Sequence, residues 1–253
     1  MSVTIPSTPE ILAYQCLSSS TGHLSDGLKA YWRFDESSGT AMDVFNNVNL
    51  APHNTIAYSQ TSKTGFNTCL GFADGTGCYM NSSNVSYINP SHDKFSISFW
   101  VYFDKFYSTS GQTQYVINIS RTTAPWYWVT FYVDADDHLV FYFKTADLAS
   151  CECHSQFFGT LQINTWYHIV GVAHGIGNYA KFYINNSSAN SFTIQSDIIA
   201  HADSGIAVGG VSGGTETCGR IDEIGIWDRA LSATEVSELY NDGNGLSYNH
   251  FAT

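Results

Sequence analysis

The sequence predicts an all-β fold, an antiparallel sandwich of two sheets closed by one short helix near the C-terminus. Three observations carry that expectation. Strand-like runs recur every 8–15 residues from residue 27 to residue 227 without a helical pattern between them, which is the spacing of antiparallel sandwiches and not of βαβ units. Aromatic residues are abundant (16 Tyr, 16 Phe and 6 Trp) while charged residues make up 13% and proline occurs only 5 times, a balance that suits strands more than helices. The one clear helix start, the capping box Ser232-Ala-Thr-Glu235, comes after all of the strand pattern.

Taken in order, residues 1–25 are rich in Ser and Thr, carry Pro6 and Pro9, and read as an extended arm ahead of a single domain over 26–253. Residues 27–39 contain the first firm strand, Leu28, Ala30, Trp32 and Phe34 alternating with polar neighbours. Residues 70–80, LGFADGTGCYM, predict a hairpin around Asp74-Gly75. The clearest alternation is FSISFWVYF, with Phe95, Ile97, Phe99, Val101 and Phe103 on a core face and Ser96, Ser98, Trp100 and Tyr102 on a second face that could floor a concave surface. Runs at 114–120, 126–133 and 139–144 continue the meander, the last two joined by Asp134–His138; runs at 165–174 and 179–185 form another pair. The run at 204–210 leads into GRIDEIGIW, whose apolar character on both parities predicts a strand packed on both faces. Val236, Leu239 and Tyr240 share one face of the helix that follows, with Gly243 expected as its left-handed C-cap.

A chain of 253 residues is long enough to bury a sandwich core without a staple. Twenty-two acidic against 10 basic residues leave a formal charge of −12, which argues against nucleic acid as a partner. No run of 18 apolar residues exists, so membrane insertion by a helix is not expected. The N-terminus has neither a basic region nor a continuous apolar run, hence no signal peptide is expected and the chain reads as cytoplasmic until assembly, or as carried on a particle. Cysteines stand at 16, 69, 78, 151, 153 and 218. A hairpin would set Cys69 across from Cys78, which allows a disulfide, whereas a cytosolic chain favours buried thiols. Cys151-Glu-Cys153 lacks the second pair of a zinc site.

The fragments AYWRFDESSGTAMD, FSISFWVYF, WYHIVGVA, KFYINN and GRIDEIGIWDRALSATEV, in that order, resemble the laminin G-like, concanavalin A-like jelly-roll family over residues 27–240. The resemblance implies a jelly roll with one convex and one concave sheet, and binding of sugars, proteins or calcium. The family often places an Asp-x-Ser-Gly-Asn loop after the first strand; Asp43-Val-Phe-Asn46-Asn47 keeps the Asp and an Asn but lacks the Gly. A family domain with an N-terminal arm and few lysines looks like a phage particle protein, displayed on the virion surface and anchored to capsid or tail proteins through the arm, with a homo-oligomer allowed.

The residues themselves bear on three chemistries. For glycoside hydrolysis two carboxyls must flank the scissile bond at roughly 5–5.5 or 6.5–9.5 Å. The best run, Asp222-Glu223, alternates to opposite faces, and Asp222 shares its face with Ile224 and Ile226. No Gly-x-Ser-x-Gly occurs and His168 reads as a packed histidine. The chain is therefore expected to have no catalytic residues. Calcium, a hard cation wanting six to eight oxygens, would take Asp43, Asn46 and Asn47; Asp134, Asp136 and Asp137 form a second, less complete oxygen cluster. Glycan binding uses aromatic faces ringed by polar groups. Its expected contacts are Trp126, Trp128, Tyr132, Trp100 and Tyr102, with Tyr142, Lys144, Tyr183 and Asn185 around them. The expected function is a non-catalytic module that meets a carbohydrate or a host-surface receptor. The alternatives are a purely structural capsid decoration protein and a polysaccharide-processing enzyme.

Overall fold

The structure is a computed structural model that describes residues 23–83, 87–88, 94–120, 127–145, 147, 149–157, 160–198, 205–212 and 216–251. The arm expected over 1–25 and the glycan contact Trp126 lie outside the described residues, save that His23–Ser25 are described, and nothing is described of the Trp128 side chain.

Two antiparallel sheets hold the described strands. One has eight strands in the order β13 (Ser187–Thr193), β12 (Tyr179–Ile184), β11 (Trp166–His174), β6 (Lys94–Phe103), β15 (Gly219–Trp227), β4 (Thr68–Phe72) and β3 (Ala57–Thr61), with β1 (Leu28–Trp32) also on β15. The other has seven, β10 (Ser150–His154), β9 (Leu139–Lys144), β8 (Tyr127–Val133), β7 (Gln114–Ser120), β14 (Gly205–Val208), β5 (Tyr79–Ser82) and β2 (Ala51–His53). Among the described residues, a four-residue helix, α1 (Tyr107–Ser110), an eight-residue helix, α2 (Ala233–Tyr240), and three short 3-10 turns complete the jelly-roll sandwich.

The predicted alternation of β6 does what it should: Phe95, Ile97, Phe99, Val101 and Phe103 all enter the main core. There they meet the seven-stranded sheet ring to ring, Phe99 against Phe131 at 5.0 Å and Phe95 against Phe143 at 5.7 Å, both edge-on, the arrangement that ring quadrupoles favour. Gly171 of β11 makes room for this layer, since a Cβ there would sit 2.7 Å from Phe131 and 2.8 Å from Phe141.

Strand β15 is buried along both faces, as its sequence predicts, and lies between β6 on one side and β4 then β1 on the other. Its period of two is nevertheless broken. Asp222 pairs with Trp100 but Gly225 pairs with Ser98, so β15 spends three residues where β6 spends two, and Glu223 takes a φ of 50°. This β-bulge sends Ile221, Ile224 and Ile226 to the main core. Trp227 joins a second cluster with Tyr31, Val236 and Leu239 beneath α2. Helix α2 begins with the predicted capping box, Ser232 and Glu235 exchanging side-chain and backbone hydrogen bonds. It ends earlier than Gly243: Asn241 is the left-handed C-cap, at φ 47°, and its side-chain amide donates to the Gly245 carbonyl.

The expected hairpin at 70–80 is overturned. Strand β4 belongs to the eight-stranded sheet and β5 to the seven-stranded one, so the Asp74-Gly75 turn carries the chain across the core. Leu70, Phe72, Cys78 and Met80 all face that core, from opposite layers. Cys69 and Cys78 are consequently free buried thiols, as are Cys151, Cys153 and Cys218.

Candidate functional site

Outside the core, the seven-stranded sheet builds its outer face from the alternate residues of β7 to β10. Register aligns them in rows: Tyr115, Tyr132, Val140 and His154 in one, Asn118, Thr130, Tyr142 and Glu152 in the next. Residues directly opposite on antiparallel strands share a face. Tyr115, Thr130, Tyr132 and Tyr142 accordingly line a hollow of about 200 Å³, with the Tyr115 and Tyr132 rings 5.8 Å apart. The hydroxyl of Thr130 donates to the Ile117 carbonyl, and the side-chain oxygen of Asn118, buried beside it, has no hydrogen-bond partner among the described residues. Burial, then the charges of Glu152 and Asp134, push the Tyr132 phenol up to about 12, so it stays a neutral donor.

Tyr132 and Tyr142 stand where the sequence expects an aromatic trough. Tyr115 joins them against the local pattern. Strict alternation along QYVINIS would put it in the core with Ile117 and Ile119, but a bulge between Tyr115 and Ile117 turns it outward.

Trp100 and Tyr102 belong to the other outer face, across the sandwich from Tyr132. Trp100 is 3% exposed, packed against His168 and Tyr240 with the Lys63 ammonium 4.7 Å over its ring. It floors no open surface, because α2 and the 62–66 turn cover that part of the sheet; Tyr102, half-buried, stacks beneath Arg220. Tyr183 is buried in the cluster under α2, and Asn185 accepts from the His168 amide, so neither joins the trough. His168 bonds Ser98 through Nε2 at 2.9 Å, and burial, with Lys63 nearby, pulls its imidazole down to about 3, the packed neutral histidine expected.

The β15 bulge also changes the acidic pair. Asp222 lies opposite Trp100 and bonds the Ser62 hydroxyl, while Glu223 accepts from the Tyr31 hydroxyl, so both carboxyls lie on the helix-covered side instead of on opposite faces. Burial, then the Glu223 charge, hold Asp222 well above the usual carboxylate range, and burial pushes Glu223 up to about 7 against the Tyr31 hydrogen bond. With Asp222 at 0% and Glu223 at 6% exposure, the pair is shut away from solvent.

Asp43 is 2% exposed and serves the backbone: Oδ1 accepts from the Tyr31 amide at 2.9 Å, and Oδ2 from the amides of Asn47 and Val48. Asn46 takes a left-handed φ of 60° in the same turn and bonds Asn49. Both oxygens of the expected calcium ligand thus already hold amide protons.

A laminin G family model, described as the concanavalin A-like lectin/glucanases superfamily, matches residues 74–237. The chain belongs to that superfamily. Among solved structures, domain 4 of an extracellular arabinanase from Geobacillus stearothermophilus, in complex with arabinotriose, is similar at 18% identity and a TM-score of 0.61, covering 87% of this chain and 98% of that one. The binding domain of Paraclostridial Mosquitocidal Protein 1 follows at 19% identity and 0.64, covering 86% of this chain and 52% of that one. Trypanosoma rangeli sialidase with the inhibitor DANA aligns at 14% identity and 0.64, covering 97% of this chain and 36% of that one. The chain thus spans about a third to a half of the last two, and at these identities they share its fold. The concanavalin A-like fold serves enzymes and binding domains alike, so function has to be argued from the outer faces. No curated protein matches the sequence.

Proposed function

We propose that this concanavalin A-like chain is a non-catalytic carbohydrate-binding module whose ligand lies across Tyr115, Tyr132 and Tyr142. The observation that carries the reading is the hollow itself, three tyrosines and Thr130 around about 200 Å³. Tyrosine rings stack on the apolar faces of pyranose or furanose rings and their hydroxyls read sugar hydroxyls; a charged ligand would be poorly served by so neutral a floor. The raised carboxyls, Asp222 and Glu223, lie buried on the opposite outer face, which supports binding over hydrolysis. The binding and sugar-complexed domains among the structural relatives support the same class. Display on a phage particle, with the N-terminal arm as anchor, belongs to this proposal and rests on the sequence context alone.

A glycan array probed with the purified chain, followed by titration calorimetry on the best hit, tests it. Tyr132→Ala and Tyr142→Ala are each expected to weaken binding about five- to tenfold, the loss of roughly 1–1.5 kcal/mol of ring contact, with unchanged circular dichroism. Silence across the array, or full affinity in both variants, would overturn the assignment.

A further inference from the structure

Beside the tyrosine hollow, at the end of the same rows, lies a second arrangement of side chains that the carbohydrate reading does not use. Asp134 follows β8, His138 precedes β9, and His154 ends β10. The β8–β9 turn is held by the Asp134 amide on the His138 carbonyl at 2.9 Å and by a left-handed Asp137 at φ 61°. Register then places His154 opposite Val140, under that turn.

The three side chains converge on one point. Nδ1 of His154 is 3.4 Å and Nδ1 of His138 is 3.6 Å from the same oxygen, Oδ2 of Asp134, and the three donor atoms lie within 4.8 Å of one another. A tetrahedral ion with ligand bonds of about 2.0–2.2 Å has ligands about 3.3–3.6 Å apart, which is the separation seen between each imidazole and the Asp134 oxygen. Two supports fix these donors. Oδ1 of Asp134 accepts from the amides of Asp136 and His138, each at 2.9 Å, which leaves Oδ2 turned to the imidazoles. Nε2 of His154 lies 3.3 Å from Oε2 of Glu152; an N–H donated there sets the tautomer that presents the Nδ1 lone pair to Asp134. A carboxylate behind a ligating imidazole is the usual outer partner of a metal-bound histidine.

We propose that Asp134, His138 and His154 form a binding site for a divalent transition metal of the zinc class, with Glu152 as positioning residue. Two imidazoles and one carboxylate suit zinc, cobalt or nickel and not calcium, which takes oxygen donors. Three protein ligands leave a coordination position open. A hollow of about 220 Å³ lined by Asp136, Asp137, His138, Gln156, Thr160 and Leu161 adjoins His138 and gives an outside ligand room to reach it. None of its ligands lines the tyrosine hollow, so metal and sugar are held by different side chains.

The test is calorimetric titration of the chelator-stripped full chain with zinc, together with visible absorption of the cobalt form. The expected result is one metal per chain, with cobalt bands of a tetrahedral nitrogen and oxygen set. Glu152→Gln should weaken zinc binding roughly 10–100-fold, as loss of an outer partner does. His138→Ala and His154→Ala should weaken it further, each variant keeping the wild-type circular dichroism. Absence of saturable binding, undiminished binding in the double histidine variant, or a thiolate-to-cobalt charge-transfer band would overturn the assignment. Tyr132→Ala, which removes the sugar floor, is expected to leave the metal titration unchanged, so the two readings fail separately.

Discussion

Glu223 shows how one backbone angle creates a titrating group. Its left-handed φ lets the bulge put two neighbouring acids on the same covered side, where the Glu223 carboxylate accepts from the Tyr31 hydroxyl. In the unfolded chain its proton leaves near the ordinary value of 4.5, whereas the folded protein holds it to about 7. The native state therefore binds more protons in that window, so the stabilising contribution is complete below about pH 4.5 and is lost as the pH rises through about 7. The difference corresponds to about 3 kcal/mol. Asp222, raised by burial and by the Glu223 charge, acts in the same direction. Glu223→Gln keeps an acceptor for Tyr31 and removes the ionisation. Its melting temperature is expected to exceed that of the natural chain at pH 8 and to vary less between pH 5 and 8. A variant whose pH profile matched the natural one would rule out Glu223 as the source.

At the scale of elements, three features position the outer faces: the β7 bulge, the β15 bulge and the spacing of the two sheets. The bulges decide which aromatic and acidic side chains leave the core. The spacing depends on Gly171, whose missing Cβ admits Phe131 and Phe141, stacked at 4.9 Å with 12° between their planes. These rings belong to the strands that carry Tyr132 and Tyr142 on their other side, so core packing and the tyrosine hollow share a backbone. Gly171→Ala overpacks this layer and is expected to cost about 1–3 kcal/mol, read as a lower denaturant midpoint with an unchanged slope. It should also weaken sugar binding by disturbing the pitch of β8 against β9. Stability equal to that of the natural chain would mean that the sheets give way without cost.

For the whole molecule, the burial of one continuous core between two sheets explains why no covalent staple is needed. The described cysteines are free, and Cys69 of β4 and Cys78, just before β5, face the chain's two different sheets. Burial pushes the thiols of Cys69 and Cys153 up to about 12, which keeps them protonated and slow to react. The melting temperature is expected to be the same with and without reductant, and unmoved when calcium is added to metal-free protein, because both oxygens of Asp43 are engaged by amides. A fall with reductant would reveal a disulfide, and a rise with calcium would give the Asp43 loop a metal role.

Pattern alone, read along the chain, determined the layer count, the core face of β6, the double burial of β15 and the capped helix behind it. Each depends on local periodicity, and the hydrophobic effect acts on that periodicity wherever the strands pair. It also placed Tyr132 and Tyr142 on an outward row. What only the tertiary structure decided was partnership. The Asp74-Gly75 turn has the composition of a hairpin, yet its strands pair with distant ones in different sheets. Trp100 has the alternation of a surface residue, yet α2 covers it. Tyr115 and the acidic pair changed sides at bulges, where one extra residue resets the period of two, and nothing in the local sequence announces such an insertion. Asp134 and His138 are neighbours in one turn, but His154 reaches them only because β10 pairs with β9. Contacts of that kind are set by the register between strands, a property of the assembled sheet and not of any single stretch of chain.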